Sequence, residues 1–128
     1  GPVFYPGIEE KVVETVETFG INSKVIFSSF NHYTVKKIKE IDSDLKCGLL
    51  HMAGLYRPWE YAEMVGVEAV HPHALSISPE VVKQCREKGI EVNVFGVNDK
   101  IMMQRMIKIG VDMIITDYPD RALQLLGR

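Results

Sequence analysis

Glu91-Val-Asn-Val-Phe-Gly-Val-Asn-Asp99, residues 100–109 with helical periodicity, then Gly110-Val-Asp-Met-Ile-Ile-Thr-Asp-Tyr-Pro119 form the stretch from which the fold is read. Val92, Val94 and Val97 are β-branched and bounded by Gly89 and Asn98, the pattern of a short buried strand. Asp99 is placed to cap the helix that follows, whose apolar residues Ile101, Met102, Met106, Ile107 and Ile109 fall mostly on one face. Gly110 stops that helix, and Met113-Ile114-Ile115 is again a solid apolar run. Continuous apolar strands alternating with amphipathic helices predict parallel strands covered by helices. In such folds ligands sit beyond the carboxyl ends of the strands. Asn98, Thr116 and Asp117 therefore stand where chemistry is expected.

Working outward, the chain has 128 residues, the size of one domain with a real core. Its hydrophobic content of 46% and charged content of 25% are ordinary globular values. A net charge of −2 gives no electrostatic case for nucleic acid, and no basic block suggests a membrane surface. No apolar run approaches the ~20 residues of a membrane helix, and the first residues lack a signal-peptide pattern. Cys47 and Cys85 lack metal-site spacing and read as buried thiols of a reducing compartment, so a cytoplasmic location is expected.

One small unit recurs along the chain. After a Pro/Gly-punctuated lead-in, Gly1 to Gly7, helices are expected over Ile8 to Phe19, from an Asn31 cap to Ile41, and from Arg57-Pro58 to Met64. Further helices are expected from a Ser78 cap to Lys88, after Asp99, and from Pro119 with Ala122, Leu123, Leu125 and Leu126 inward. Between them lie apolar strand runs at Lys24 to Ser28, Leu45 to Leu50 and Glu68 to His71. Phe19-Gly20-Ile21, Val65-Gly66-Val67, Lys88-Gly89-Ile90 and Ile109-Gly110-Val111 all read as helix end, glycine and a β-branched residue leading into a strand. Glycine there permits the left-handed turn back to the sheet. No linker divides the chain, which makes 1–128 a single α/β unit. Two architectures fit: an open doubly wound sheet, or the second half of a (β/α)₈ barrel, which takes ~250 residues when whole. No glycine-rich phosphate loop favours the open sheet.

Phe27-Ser28-Ser29-Phe30-Asn31, His71-Pro72, Val94-Phe95-Gly96-Val97-Asn98 and Gly110-Val111-Asp112-Met113-Ile114-Ile115-Thr116-Asp117-Tyr118-Pro119 follow one another from Tyr5 to the chain end. In this order they resemble the carboxyl-terminal part of the bacterial glycerophosphodiester phosphodiesterases. The resemblance implies a partial TIM barrel, about strands four to eight with their helices. It also implies metal-assisted hydrolysis of glycerophosphodiesters to glycerol 3-phosphate and an alcohol, at Mg²⁺ or Ca²⁺, in the intact protein. Two departures stand out. Phe95-Gly96-Val97-Asn98 replaces the family's usual Trp-Thr-Val-Asn. The family's catalytic histidine pair and metal carboxylates belong to its first three strands and have no counterpart here, so no catalytic residue and no metal ligand is assigned to this chain.

Six residues are assigned to substrate binding on the resemblance: Phe30, His51, His71, Phe95, Asn98 and Asp117. Each also has a plainer reading. Phe30 and Phe95 would wall a glycerol moiety, or else be core aromatics. His51 would contact substrate, or else be a loop histidine titrating near neutrality. His71 and His73, two apart at a strand end, would form a metal pair, or else pack at the barrel mouth. Asp117 would orient other groups, or else start the last helix through Thr-Asp-x-Pro. The run Lys36-Lys37-Ile38-Lys39-Glu40 reads as a solvated helix face. The chain alone is expected to be inactive and to form a homodimer through exposed barrel edges. The competing reading is a non-catalytic α/β binding module that resembles half a barrel.

Overall fold

The structure is a computed structural model that describes residues 7–127, so the lead-in before Gly7 lies outside the described residues. The strands are β1 (Ile26–Ser29), β2 (Lys46–His51), β3 (Ala69–Pro72), β4 (Glu91–Val94) and β5 (Met113–Ile114). The helices are α1 (Ile8–Thr18), α2 (His32–Ile41), α3 (Pro58–Val65), α4 (Pro79–Glu87), α5 (Lys100–Ile109) and α6 (Pro119–Leu125). All neighbouring strands are parallel, and their spatial order is their chain order, β1 to β5. An open doubly wound sheet would reverse direction at a switch point; a barrel segment does not. The strands form a curled half-barrel with β1 and β5 at its edges.

Local signals set the boundaries. Asn31, Ser78 and Asp99 each accept a backbone N–H two or three residues into the helix they cap. Gly66 and Gly110, at φ of +86° each, turn their helices back toward the sheet. The apolar run ending at Val97 does not remain a strand throughout. β4 stops at Val94, with one further bridge at Phe95, because Gly96 swings to φ +75°.

The core lies between the helices and the convex face of the sheet. Leu49, Val70, Val92 and Val94 meet Val35, Ile38, Ala62, Val82, Met103 and Met106, all essentially excluded from solvent. Four parts of the sequence reading need correction. Ile101 is 80% exposed, since it lies on the face of α5 opposite the buried Met103 and Met106. Leu123 and Leu126 are half exposed, because α6 buries only its Ala122 and Leu125 side. Tyr33, which the sequence pattern groups with Val35 and Ile38 as apolar positions of this helix, instead stands out from α2. Lys39 does not belong to a solvated face: its Nζ donates to Ser43 O (2.8 Å), to Leu45 O (3.1 Å) and to Glu68, closing the carboxyl end of α2.

The concave face carries the residues in phase with Ser28, Gly48, His71 and Asn93. Near the amino ends of the strands, Lys46 and Glu91 pair at 2.6 Å across the small Ala69 of the intervening strand. Small residues on one strand thus let its two neighbours meet above it, the layered packing of barrel interiors.

Candidate functional site

The next layer up is built around His71. β1 offers Ser28, β2 offers only Gly48, β3 offers His71 and β4 offers Asn93. A Cβ on Gly48 would clash with His71 at Nε2, Cδ2 and Cε1, so glycine alone leaves room for the imidazole to lie across β2. The ring is held at both ends: Ser28 Oγ lies 2.6 Å from Nδ1, and Asn93 Nδ2 lies 3.0 Å from Nε2. With the Asn93 amide donating to Nε2, the ring proton sits on Nδ1 and is donated to Ser28. His71 is 3% exposed, and burial pushes its pKa down to about 4. It is a neutral ring fixed in the wall. Asn93 is fully buried, and its Oδ1 has no partner among the described residues.

Above this layer, at the carboxyl ends of the strands, Phe30, His73 and Phe95 continue the same alternation. Phe30 and Phe95 meet edge to face with centroids 5.7 Å apart, although they follow β1 and β4, two strands that are not neighbours. His73 meets Phe95 in the same way at 5.1 Å. Phe30 is 53% exposed, so the pair forms an open aromatic wall over the concave face. The glycine that departs from the usual threonine has a structural counterpart, since His73 Nε2 lies 2.5 Å from where a Cβ on Gly96 would stand.

Asn98 and Asp117 are brought together on the neighbouring loops. Asn98 Oδ1 accepts from Asp117 N–H at 3.0 Å and from Thr116 Oγ1 at 3.2 Å, and its Nδ2 donates to Asp117 Oδ2 at 3.4 Å. Arg121 adds a bond to Asn98 O at 3.3 Å and stacks over Tyr118 at 4.0 Å. This cluster fixes the loop that leads into α6.

His51 does not join either group. It is 8% exposed; Nδ1 donates to Ala53 O at 2.8 Å, and Nε2 is buried with no partner among the described residues. Burial holds its pKa below the usual histidine range. His71 and His73 do not converge as a metal pair either: the first has both nitrogens bonded to Ser28 and Asn93, and the second gives Nδ1 to Leu75 N–H. Among the described residues, no group of three His, Cys, Asp or Glu side chains is arranged to hold a metal ion. Asp99 caps α5 through Met102 N at 2.8 Å.

Sequence reading missed His32, which joins Tyr61 OH to Leu50 O at 2.8 Å each and so ties α2, α3 and β2 together. Its partners lie far along the chain, and no local signal marks them. The asparagine at position 93 was passed over because a polar residue inside Val-Asn-Val breaks an apolar run without announcing a partner.

Comparison with known proteins places these features in context. Residues 3–121 match the model of the glycerophosphoryl diester phosphodiesterase family. A glycerophosphodiester phosphodiesterase of Caldanaerobacter subterraneus subsp. tengcongensis is 41% identical over the whole chain, which covers 53% of that protein. The crystal structure of a glycerophosphodiester phosphodiesterase from Parabacteroides distasonis superposes with a TM-score of 0.85 at 26% identity, covering 93% of this chain and 50% of the other. An Oleispira antarctica phosphodiesterase, solved with the product sn-glycerol-3-phosphate, superposes at 0.80 and 22% identity, covering 94% of this chain and 50% of that one. The chain spans about half the length of the relatives it matches.

Proposed function

Because the chain belongs to the glycerophosphoryl diester phosphodiesterase family, we propose that residues 1–128 are one α/β unit. It is the carboxyl-terminal half of a barrel that hydrolyses glycerophosphodiesters to glycerol 3-phosphate and an alcohol. The observation that carries this reading is the family match along residues 3–121, laid on five parallel strands in chain order. The carboxyl ends of those strands are where barrel enzymes keep their sites.

The chain's share is the pocket wall. Phe30 and Phe95 flank the glycerol carbons. Asn98 and Asp117 hold the neighbouring loop, with Asp117 facing the substrate side. His71 supports the floor beneath them, and His51 lines the end of β2. Displacement at the phosphorus requires neutralisation of the phosphoryl oxygens and a positioned proton carrier. The residues present here do not fit a metal, since Asp99 is engaged as a cap and Asp117 is tied to Asn98. Mg²⁺ or Ca²⁺, each requiring several oxygen ligands, would be held by the other half of the intact barrel, and this half by itself would not turn over substrate.

Two further parts of the reading concern surroundings. A groove of about 380 Å³ beside β5 and α6, lined by Met113, Ile114, Ala122, Leu123 and Leu126, leaves an apolar edge that a second copy of the chain covers in a homodimer. Cys47 and Cys85 are buried and unpaired, with thiols pushed up to about 11 by burial, in keeping with a cytoplasmic setting. The test is to assay the chain with glycerophosphocholine and Mg²⁺ or Ca²⁺, alone and mixed with the first three barrel strands as a separate polypeptide. Turnover only in the mixture is expected. Turnover by the chain alone refutes the division of labour, and none by the intact barrel refutes the hydrolase reading. A non-catalytic binding module would show none in any combination.

A further inference from the structure

His73 ends the concave face at the mouth, directly after β3, and bridges to Phe95, the residue after β4. Its Nδ1 accepts the Leu75 N–H at 3.1 Å, capping the short turn Ala74–Ser76. A backbone N–H only donates, so Nδ1 carries no proton and the neutral ring bears its proton on Nε2. That Nε2–H lies over Gly96, in space that any side chain at position 96 would fill, and Gly96 holds φ +75°, which glycine alone adopts without strain. Nε2 has no hydrogen-bond partner among the described residues. Beside it stands Phe95, its ring nearly perpendicular to the imidazole, and Phe95 in turn meets Phe30. A fixed neutral donor beside aromatic rings matches a small polyol: the rings pack against carbon while the N–H meets a hydroxyl oxygen.

We propose that His73 is a specificity-determining residue whose Nε2–H donates to a glycerol hydroxyl of the substrate. This deepens the hydrolase reading and rests on it. The ring's other duty, capping the turn through Nδ1, gives a test in which the two roles predict opposite results. His73→Asn keeps an acceptor near Nδ1 but has no donor at Nε2. His73→Gln places an amide donor near Nε2 but loses the cap.

The experiment measures kcat and KM of the intact barrel with glycerophosphocholine, and with a diaryl phosphate that has no hydroxyl. For His73→Asn, KM for glycerophosphocholine should rise about tenfold with kcat nearly unchanged, the loss of one neutral hydrogen bond to bound substrate. The Gln variant should stay within about threefold of wild type, and neither variant should change the constants for the diaryl phosphate. If Asn behaves as wild type, if Gln is the weaker of the two, or if the diaryl phosphate is affected as much, the ring is only structural. Nitrogen-15 spectra of wild-type histidines decide the tautomer independently of any variant: a proton on Nδ1 of His73 overturns the proposal. Failure of the wild-type barrel to cleave glycerophosphocholine is a different result, which removes the hydrolase reading itself and this inference with it.

Discussion

The His71 imidazole occupies the space that a side chain on Gly48 would take, and it spans β2 to reach Ser28 on the far side. The absence of one carbon on β2 is what lets β1 and β3 bond to each other across it.

Gly48→Ala should therefore expel the ring and break its bonds to Ser28 and Asn93 together. Overpacking and two lost buried hydrogen bonds predict a destabilisation of about 2–4 kcal/mol in urea unfolding. The double variant Gly48→Ala/His71→Ala should recover part of that loss, because the clash is gone. Simple additivity of the two single variants would show that the ring and the glycine are not coupled.

His71 also gives the fold a dependence on pH. Burial lowers its pKa to about 4, whereas in the unfolded chain it titrates near ~6.5. The unfolded state therefore takes up the proton first as pH falls. The stability due to neutral His71 is fully present above ~6.5 and is lost on acidification toward pH 4, by up to about 3 kcal/mol. His51, shifted the same way, adds to the trend. Urea midpoints across this range should fall more steeply for the wild type than for His71→Gln; equal slopes would exclude His71 as the cause.

Helix starts and stops were legible in the sequence because they are local. Asn31, Ser78 and Asp99 cap within three residues of themselves, and the glycines after the helices act on their own φ. That the strands are parallel was legible from the alternation of apolar runs and helices, whereas their chain order, which separates a barrel segment from an open sheet, followed only from the family resemblance. Contacts across the barrel were not. Ser28 and His71 are 43 positions apart, and His32 reaches Tyr61 across 29. Nothing in the spacing of His71 and His73 announces that one would be enclosed between strands while the other keeps an N–H without a partner among the described residues. The strand end at Gly96 was also hidden, since valines on both sides continue the apolar pattern.

The loop into α6 depends on Asn98, which receives both the Asp117 amide and the Thr116 hydroxyl on one oxygen. Asn98→Ala should raise amide exchange over residues 116–121 by about tenfold or more while the β2 and β3 amides keep their protection. Uniform loss of protection would mean that Asn98 supports the whole fold rather than this loop.

The exposed edge makes a prediction about association. Met113 and Ile115 are 44% and 38% exposed and apolar. Light scattering at micromolar concentration should report a dimer for residues 1–128, and Met113→Lys/Ile115→Lys should shift it to monomer. A wild-type chain that stays monomeric at the same concentration would rule out the homodimer.

The imidazole laid over Gly48 also bears on how such a pocket is altered, in nature or in the laboratory. Ser28, Gly48, His71 and Asn93 act as one packed unit: a change at any one disturbs the contacts of the other three. Phe30, His73 and Phe95 rest on top of that block without being stitched into it. A library aimed at accepting another group in place of glycerol would keep the four below constant and randomise the three above.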